Sequence, residues 1–235
     1  MIKQQWSNQV NLHTPAGEIL KKLAAVLPAG RQYRITVLGS APLQVGIEPA
    51  LLRGDMDLFR DDDELADWVK AAGLGDTQRR PFIQVCSGLN FRTSPHWGTR
   101  TQSIAIENCT FIFPHPIDIL IAKLNRLEEK DLLAFRVVRE KTGHPTEAEM
   151  IEELQMAVDL FRPGFDEENA ADLGNNTARL WPLLYGRPID VRREIIAPAL
   201  AKRRAGYDLP ARDYKRELRE AAASYGSSGS ALSRT

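Results

Sequence analysis

The sequence predicts an α/β (α+β) protein: a mixed β-sheet carrying helices, followed by a C-terminal helical domain. Three observations predict it. β-branched and apolar runs alternate with helically spaced ones as far as about Ala72. Two short strands then face each other across a tight turn. From Pro114 onward the apolar residues recur only at helical intervals. The expected organisation is an α/β domain over 1–114, a helical domain over 115–223 and a Ser/Gly-rich, disordered tail over 224–235.

Each element has its own signal. Ile19, Leu20, Leu23, Val26 and Leu27 fall on one helical stripe, which predicts a helix over 16–27 stopped by Pro28 and Gly30. Arg34 to Leu38 reads as a buried strand running into a Gly39-Ser40 turn, and Met56 to Phe59 as a second strand. Asp61 is placed to cap a helix to about Ala72, with Leu65, Trp68 and Val69 inward. Phe82 to Cys86 reads as a third strand, and Ile104–Ile106 with Thr110–Phe113 as a hairpin turning at Glu107-Asn108. Pro116 suits a first helical turn, and Ile117, Leu120, Ile121, Leu124 and Leu127 form the stripe behind it.

Composition excludes several classes. Lys+Arg and Asp+Glu both number 31, so net charge selects no partner, and a polyanion would need a local basic patch. Cys86 and Cys109 stand outside any CxxC spacing, against a zinc site or a disulfide framework. His13, His96, His115 and His144 show no ligand spacing. The polar stretch Met1 to His13 lacks the apolar core of a signal peptide, and no apolar run reaches the length of a membrane span. The expected location is the cytoplasm.

The chemistry is concentrated in Gly39, Ser40, Asp55 and Asp57. A Gly-Ser turn after a strand lets backbone approach a phosphate, because glycine has no side chain in the way. Asp55 and Asp57 are two apart in a strand and so share a face. Two carboxylates on one face suit Mg²⁺ or Mn²⁺, which take oxygen ligands and substrate phosphates, and phosphoryl transfer uses such a metal for charge neutralisation and alignment. An EF-hand is ruled out by Arg60 and Ala66, where its loop requires Gly and Glu, and a P-loop by the lack of GK[ST] after Gly46.

The run Val37-Leu38-Gly39-Ser40-Ala41 through Leu52-Arg53-Gly54-Asp55-Met56-Asp57-Leu58 resembles the polymerase-β-like nucleotidyltransferase superfamily. Within it, the run looks most like the bacterial branch that includes abortive-infection type toxins. His115 to Arg126, with Lys130-Asp131-Leu132 after it, is similar to the helix that follows the sheet in that branch. The resemblance spans roughly residues 30–140. It implies transfer of a nucleoside monophosphate from an NTP to a hydroxyl of RNA, such as tRNA, or of a protein, in a chain that is the toxin-like partner of an antitoxin protein. Asp55, Asp57 and Lys123 would be catalytic, with Asp55 and Asp57 holding the metal. Gly39, Ser40, Lys123 and Asp131 would bind the nucleotide, Asp131 by orienting Lys123 or the acceptor. The chain departs from the pattern in a slightly long Ser-to-Asp spacing, in an arginine (Arg53) close to the first aspartate, and in its third carboxylate. That acid belongs on the next strand, where Phe82-Ile83-Gln84-Val85-Cys86 has none. A non-catalytic nucleotide- or partner-binding module of the same fold is therefore the alternative.

Two further patches carry weaker readings. Phe91, His96, Trp97 and Arg100 form either a base-stacking surface or a loop anchor, the anchor being the expectation. Lys202, Arg203 and Arg204 form either a solvated helix face, which is expected, or an RNA contact. Residues 147–172, with nine acids and one base, read as a solvated acidic face.

Overall fold

The computed structural model describes residues 6, 10–51, 54–60, 63–87, 91–161 and 172–205. The chain runs α1 (Pro15–Ala24), β1 (Tyr33–Val37), α2 (Ala41–Gly46), β2 (Asp55–Phe59), α3 (Glu64–Ala71), β3 (Phe82–Val85), β4 (Gln102–Ile106) and β5 (Cys109–Phe113). It continues through α4 (Pro116–Leu124), α5 (Glu129–Thr142), α6 (Glu147–Met156), α7 (Leu173–Tyr185) and α8 (Ala197–Ala205). The α/β class is as expected, with a five-stranded mixed sheet in the order β3-β2-β1-β5-β4. β1 runs antiparallel to β2 and parallel to β5, β3 is parallel to β2, and β4 closes the other edge antiparallel to β5.

Two hydrophobic clusters hold the described residues together. One joins the sheet to α1 and α3 through Leu20, Leu23, Ile35, Val37, Met56, Leu58, Leu65 and Phe111. The other is helical and gathers Ile117, Leu120, Phe135, Leu154, Trp181 and Ile195, together with Leu43 of α2. Leu43 ties α2, directly behind the Gly39-Ser40 turn, to the helical cluster. The turn therefore lies at the junction of the two cores.

The elements follow local chemistry. Thr14 accepts from Gly17 N to cap α1, with Pro15 at the first helical position. The stripe expected to continue to residue 27 ends sooner. Val26 and Leu27 close with i→i−3 bonds to Leu23 and Ala24, a tightened final turn, and Val26 points to solvent. Thr146 and Glu149 form a capping box on α6. The expected cap Asp61, the neighbouring Arg53, the continuation of helix beyond Ala205 and the 224–235 tail lie outside the described residues. Among the described residues, no helix is long and apolar enough to cross a membrane.

Candidate functional site

β2 has the alternation that a half-buried strand requires. Met56 and Leu58 are buried, while Asp55 and Asp57 occupy the opposite face. The register sets Phe82 beside Asp55 and Gln84 beside Asp57 on parallel β3. Paired residues of neighbouring strands project to the same side, so Asp57 and Gln84 form one row and Asp55 and Phe82 another. The rows are two residues apart, about 6.6 Å along the strand.

Gly39 is required twice over. Its φ of +66° lies in the left-handed region, and a Cβ there would sit 2.4 Å from Oδ2 of Asp57. The Asp57 carboxylate is thus seated directly against the turn that ends β1, with Leu38 N donating to the Asp57 carbonyl at 2.7 Å. Ser40 follows, 6% exposed, and its Oγ is buried without a hydrogen-bond partner.

Above this floor lie α4 and the start of α5. A cleft of about 310 Å³ is lined by Gly39, Asp57 and Gln84 below, by Lys123 and Arg126 on the helical side, and by apolar Phe91, Ile119 and Ala122. Lys123 donates to Asp131 Oδ1 at 3.1 Å. Arg126 reaches the same carboxylate through Nε at 3.2 Å, and Glu128 N donates to it at 3.2 Å. Asp131 is fully buried and also completes the capping box of α5. Burial pushes its carboxyl up, but the hydrogen bond from Arg126 and the charges of Lys123 and Arg126 outweigh burial and hold it below the ordinary value. Asp131 therefore stands behind Lys123, as an ionised counter-charge that fixes the ammonium at the cleft wall. Burial lowers the Arg126 pKa, but Asp131 and Glu128 raise it above the ordinary value, and Asp57, which lines the same cleft, adds the smallest contribution. Burial, with the charge of Asp57 added, drives the Cys86 thiol at the cleft wall up to about 11.

The structure brings Gly39, Asp57 and Lys123 to this cleft with Asp131 behind them. Asp55 opens instead on a neighbouring cleft of about 380 Å³. Ser40 shares a void of about 10 Å³ with Asp55 and Gln44. Among the described residues, no three His, Cys, Asp or Glu side chains converge as a metal-binding group. The chemistry of the residues suits a hard cation that shares its shell with phosphate: two carboxylates on one strand face, Asp57 pressed to the glycine turn, and the unpartnered Ser40 hydroxyl at the void that Asp55 lines.

Arg126, Gln84 and Phe91 line the cleft without having been singled out for it by the sequence. Arg126 lies one helical turn after Lys123, a spacing that places both on one face. The pairing of Gln84 with Asp57 depends on strand register, which no local pattern reveals.

The remaining sequence candidates are structural. Arg100 is buried and bidentate on Asp118, Nε to Oδ2 at 2.8 Å and Nη2 to Oδ1 at 2.7 Å, with Glu153 Oε1 2.7 Å from its Nη1. It is therefore withdrawn from any base-stacking surface, and Trp97 packs edge-on to Phe91 at 5.4 Å as a loop anchor. Arg203 pairs with Asp159 and Lys202 with Gln155, so these two members of the basic triplet bind the chain's own helices. No protein-family model, curated protein or solved structure matches the chain.

Proposed function

We propose that the cleft between Gly39-Asp57 and Lys123-Arg126 binds an NTP with Mg²⁺ or Mn²⁺, and that the chain is a nucleotidyltransferase-type enzyme. The supporting observation is the Asp57 carboxylate seated against Gly39 and opposed across the cleft by two cations, in a volume within the usual range for small-ligand sites. Asp55 and Asp57 are the metal-holding pair, and the metal would neutralise charge on the phosphates. Lys123 and Arg126 face the triphosphate, and Phe91 with Ile119 offers an apolar wall to the base. In the reaction, a hydroxyl oxygen of RNA or protein bonds to the α-phosphorus. The bond to the bridging oxygen breaks, pyrophosphate leaves, and the hydroxyl proton passes to a base. The sequence resemblance extends this reading to a toxin-like chain held in check by an antitoxin protein.

Gln84 favours a second reading. The position beside Asp57 on the adjacent strand holds an amide, which neither accepts a proton at neutral pH nor binds a cation as a carboxylate does. A module that binds nucleotide and transfers slowly or not at all accounts for that residue. General-base help is worth about 10²–10⁴-fold, so its absence leaves slow turnover.

Thermal melting with each NTP and Mg²⁺ or Mn²⁺ tests binding. At about a hundredfold excess over Kd the expected rise is roughly 5–10 °C, lost in the Asp55→Asn/Asp57→Asn double variant. Incubation with labelled NTP and total RNA tests transfer. Under the second reading transfer is weak, and Gln84→Glu increases it. If Gln84→Glu leaves transfer unchanged while nucleotide binding persists, the missing acid does not limit the reaction.

A further inference from the structure

The two edges of the sheet are finished differently. At β3 the outer side of the strand is already in use, because Ile83 N donates to the Leu74 carbonyl at 2.7 Å. β4, at the far edge, has no such cover. Which of its groups face outward follows from its neighbours. Tyr33 N donates to the Asn108 carbonyl at 2.9 Å, so the alternation of β5 turns Thr110 and Ile112 to β1, and Cys109, Phe111 and Phe113 to β4. Their partners Ile106, Ile104 and Gln102 turn their N–H and C=O groups inward, and Ser103 and Ala105 turn theirs out. Among the described residues, no hydrogen bond reaches those outward groups.

An open edge is a template for another strand, and chains that must stay single blunt it with charge, proline or a bulge. The run Thr101-Gln102-Ser103-Ile104-Ala105-Ile106 has neither a charged residue nor a proline, and its register with β5 is unbroken. Its side chains leave room for a neighbour. Ile104 and Ile106 pack on the sheet core yet stay partly exposed at the rim, and Ser103 and Ala105 on the other face are exposed and small.

The same features select a second copy of this chain as the occupant. About a two-fold axis at Ile104 the strand is its own antiparallel complement. Ser103 then falls opposite Ala105 of the second copy, and the reverse, so each pair exchanges both its N–H···O bonds. Ile104 meets Ile104 of the second copy in a close pair without hydrogen bonds, where apolar side chains touch. No like charges are brought together, since the nearest charge along the chain, Glu107, falls at the level of Thr101. The joint lies on the side of the sheet away from β2 and β3, so the Asp57 cleft stays open.

We propose that β4 is a homodimer interface, at which two copies pair their edges antiparallel about Ile104 and join two five-stranded sheets into one. A joint this short is a small interface, so the dimer should form and dissociate with concentration. The test is sedimentation velocity of the full chain from about 1 to 300 µM, with amide hydrogen exchange followed at both ends of that range. Wild type should pass from monomer to dimer. The Ser103 and Ala105 amides should exchange freely when dilute and about tenfold more slowly or less when concentrated, while the Phe111 amide, already in the ladder, is slow throughout. Ala105→Pro removes an N–H that the β5 ladder does not use, and Ile104→Lys sets two ammonium groups side by side at the axis. Each should weaken the dimer about tenfold or more. A wild type that stays monomeric throughout overturns the proposal. So does a dimer whose Ser103 and Ala105 amides remain fast, or one that folded Ala105→Pro and Ile104→Lys form as readily as wild type, because the contact then lies elsewhere. Should either variant fail to fold, the exchange of the wild-type amides decides alone.

Discussion

Two buried aspartates, thirteen residues apart on consecutive helices, meet opposite electrostatic fates. Asp118 on α4 is fully buried under a bidentate Arg100 with a second acid, Glu153, beside the same guanidinium. Burial pushes its carboxyl up, and the pull of Arg100 does not fully offset that. Asp131 on α5 is equally inaccessible but receives Lys123, Arg126 and a backbone N–H, and its carboxyl is held down. The first cluster has one cation for two acids and seals helix to loop. The second sets Lys123 and Arg126 against Asp131, with Glu128 beside Arg126, and borders a cleft. Cations at a cavity wall are what an anionic ligand needs, and a sealed cluster offers it nothing.

The largest effect separates the clusters by stability. Arg100→Met removes the guanidinium that bridges buried Asp118 and Glu153, and breaking a buried pair in this way costs about 3–5 kcal/mol. Urea unfolding should show that loss; a loss below about 1 kcal/mol would mean that water reaches this cluster and that the contrast with Asp131 is false. Asp131→Asn should cost less, about 1–3 kcal/mol, because the amide oxygen can still accept from Lys123 and the cation is not removed. Its larger consequence is functional. With its counter-charge gone, Lys123 is held less firmly, and the Mg-NTP melting shift should shrink. A full shift in Asp131→Asn would make Asp131 a helix cap alone.

The sequence made the second cluster more legible than the first. The resemblance pairs Lys123 with Asp131, but the eight-residue, two-turn spacing that suggests one shared helix face does not hold: they sit on α4 and α5 and meet across the break between them. Period-two alternation put Asp55 and Asp57 on one face, and strand signals located all five strands to within about two residues. The partner of Asp118 could not be read in this way. Arg100 sits in a loop eighteen residues earlier, beside aromatics that resemble a stacking surface, and only the docking of that loop on α4 and α6 turns it inward. The same limit hid the place of Gln84 beside Asp57, which is set by sheet register. The six-residue α2 is too short to carry a periodic signal of its own.

A smaller effect lies in the pH dependence, where the clusters should run in opposite directions. The folded Asp131 binds its proton less tightly than the ordinary aspartate value of 3.8. Its contribution is therefore present above that value and lost as pH falls through the lowered folded value. The stability advantage of wild type over Asp131→Asn should shrink in acid. Asp118 binds its proton more tightly than in the unfolded chain, so ionising it costs stability as pH rises from 3.8 through the raised folded value. The advantage of wild type over Asp118→Asn should instead shrink on the alkaline side of that window. Urea titrations of both variants at several pH values between about 3 and 7 measure the two slopes. Slopes of the same sign would break the comparison.

The smallest effect on stability is expected at the residue that sharpens the comparison most. Arg126 touches Asp131, yet its side chain is 52% exposed, and it shares its charge with Glu128 at 3.3 Å. Ion pairs in that setting contribute about 0–1 kcal/mol, and Asp131 keeps Lys123 and the Glu128 N–H when Arg126 is lost. Arg126→Gln should therefore melt close to wild type. The guanidinium nonetheless faces Asp57 across the cleft, where a triphosphate would add negative charge to a carboxylate already present. Without it, that charge has only Lys123 and the metal to balance it, so Mg-NTP should bind several-fold more weakly, with the deficit growing as salt is lowered and screening fades. A variant that binds Mg-NTP as tightly as wild type at low salt would show that Arg126 serves α5 alone, and the second cluster would then differ from the first in exposure but not in purpose.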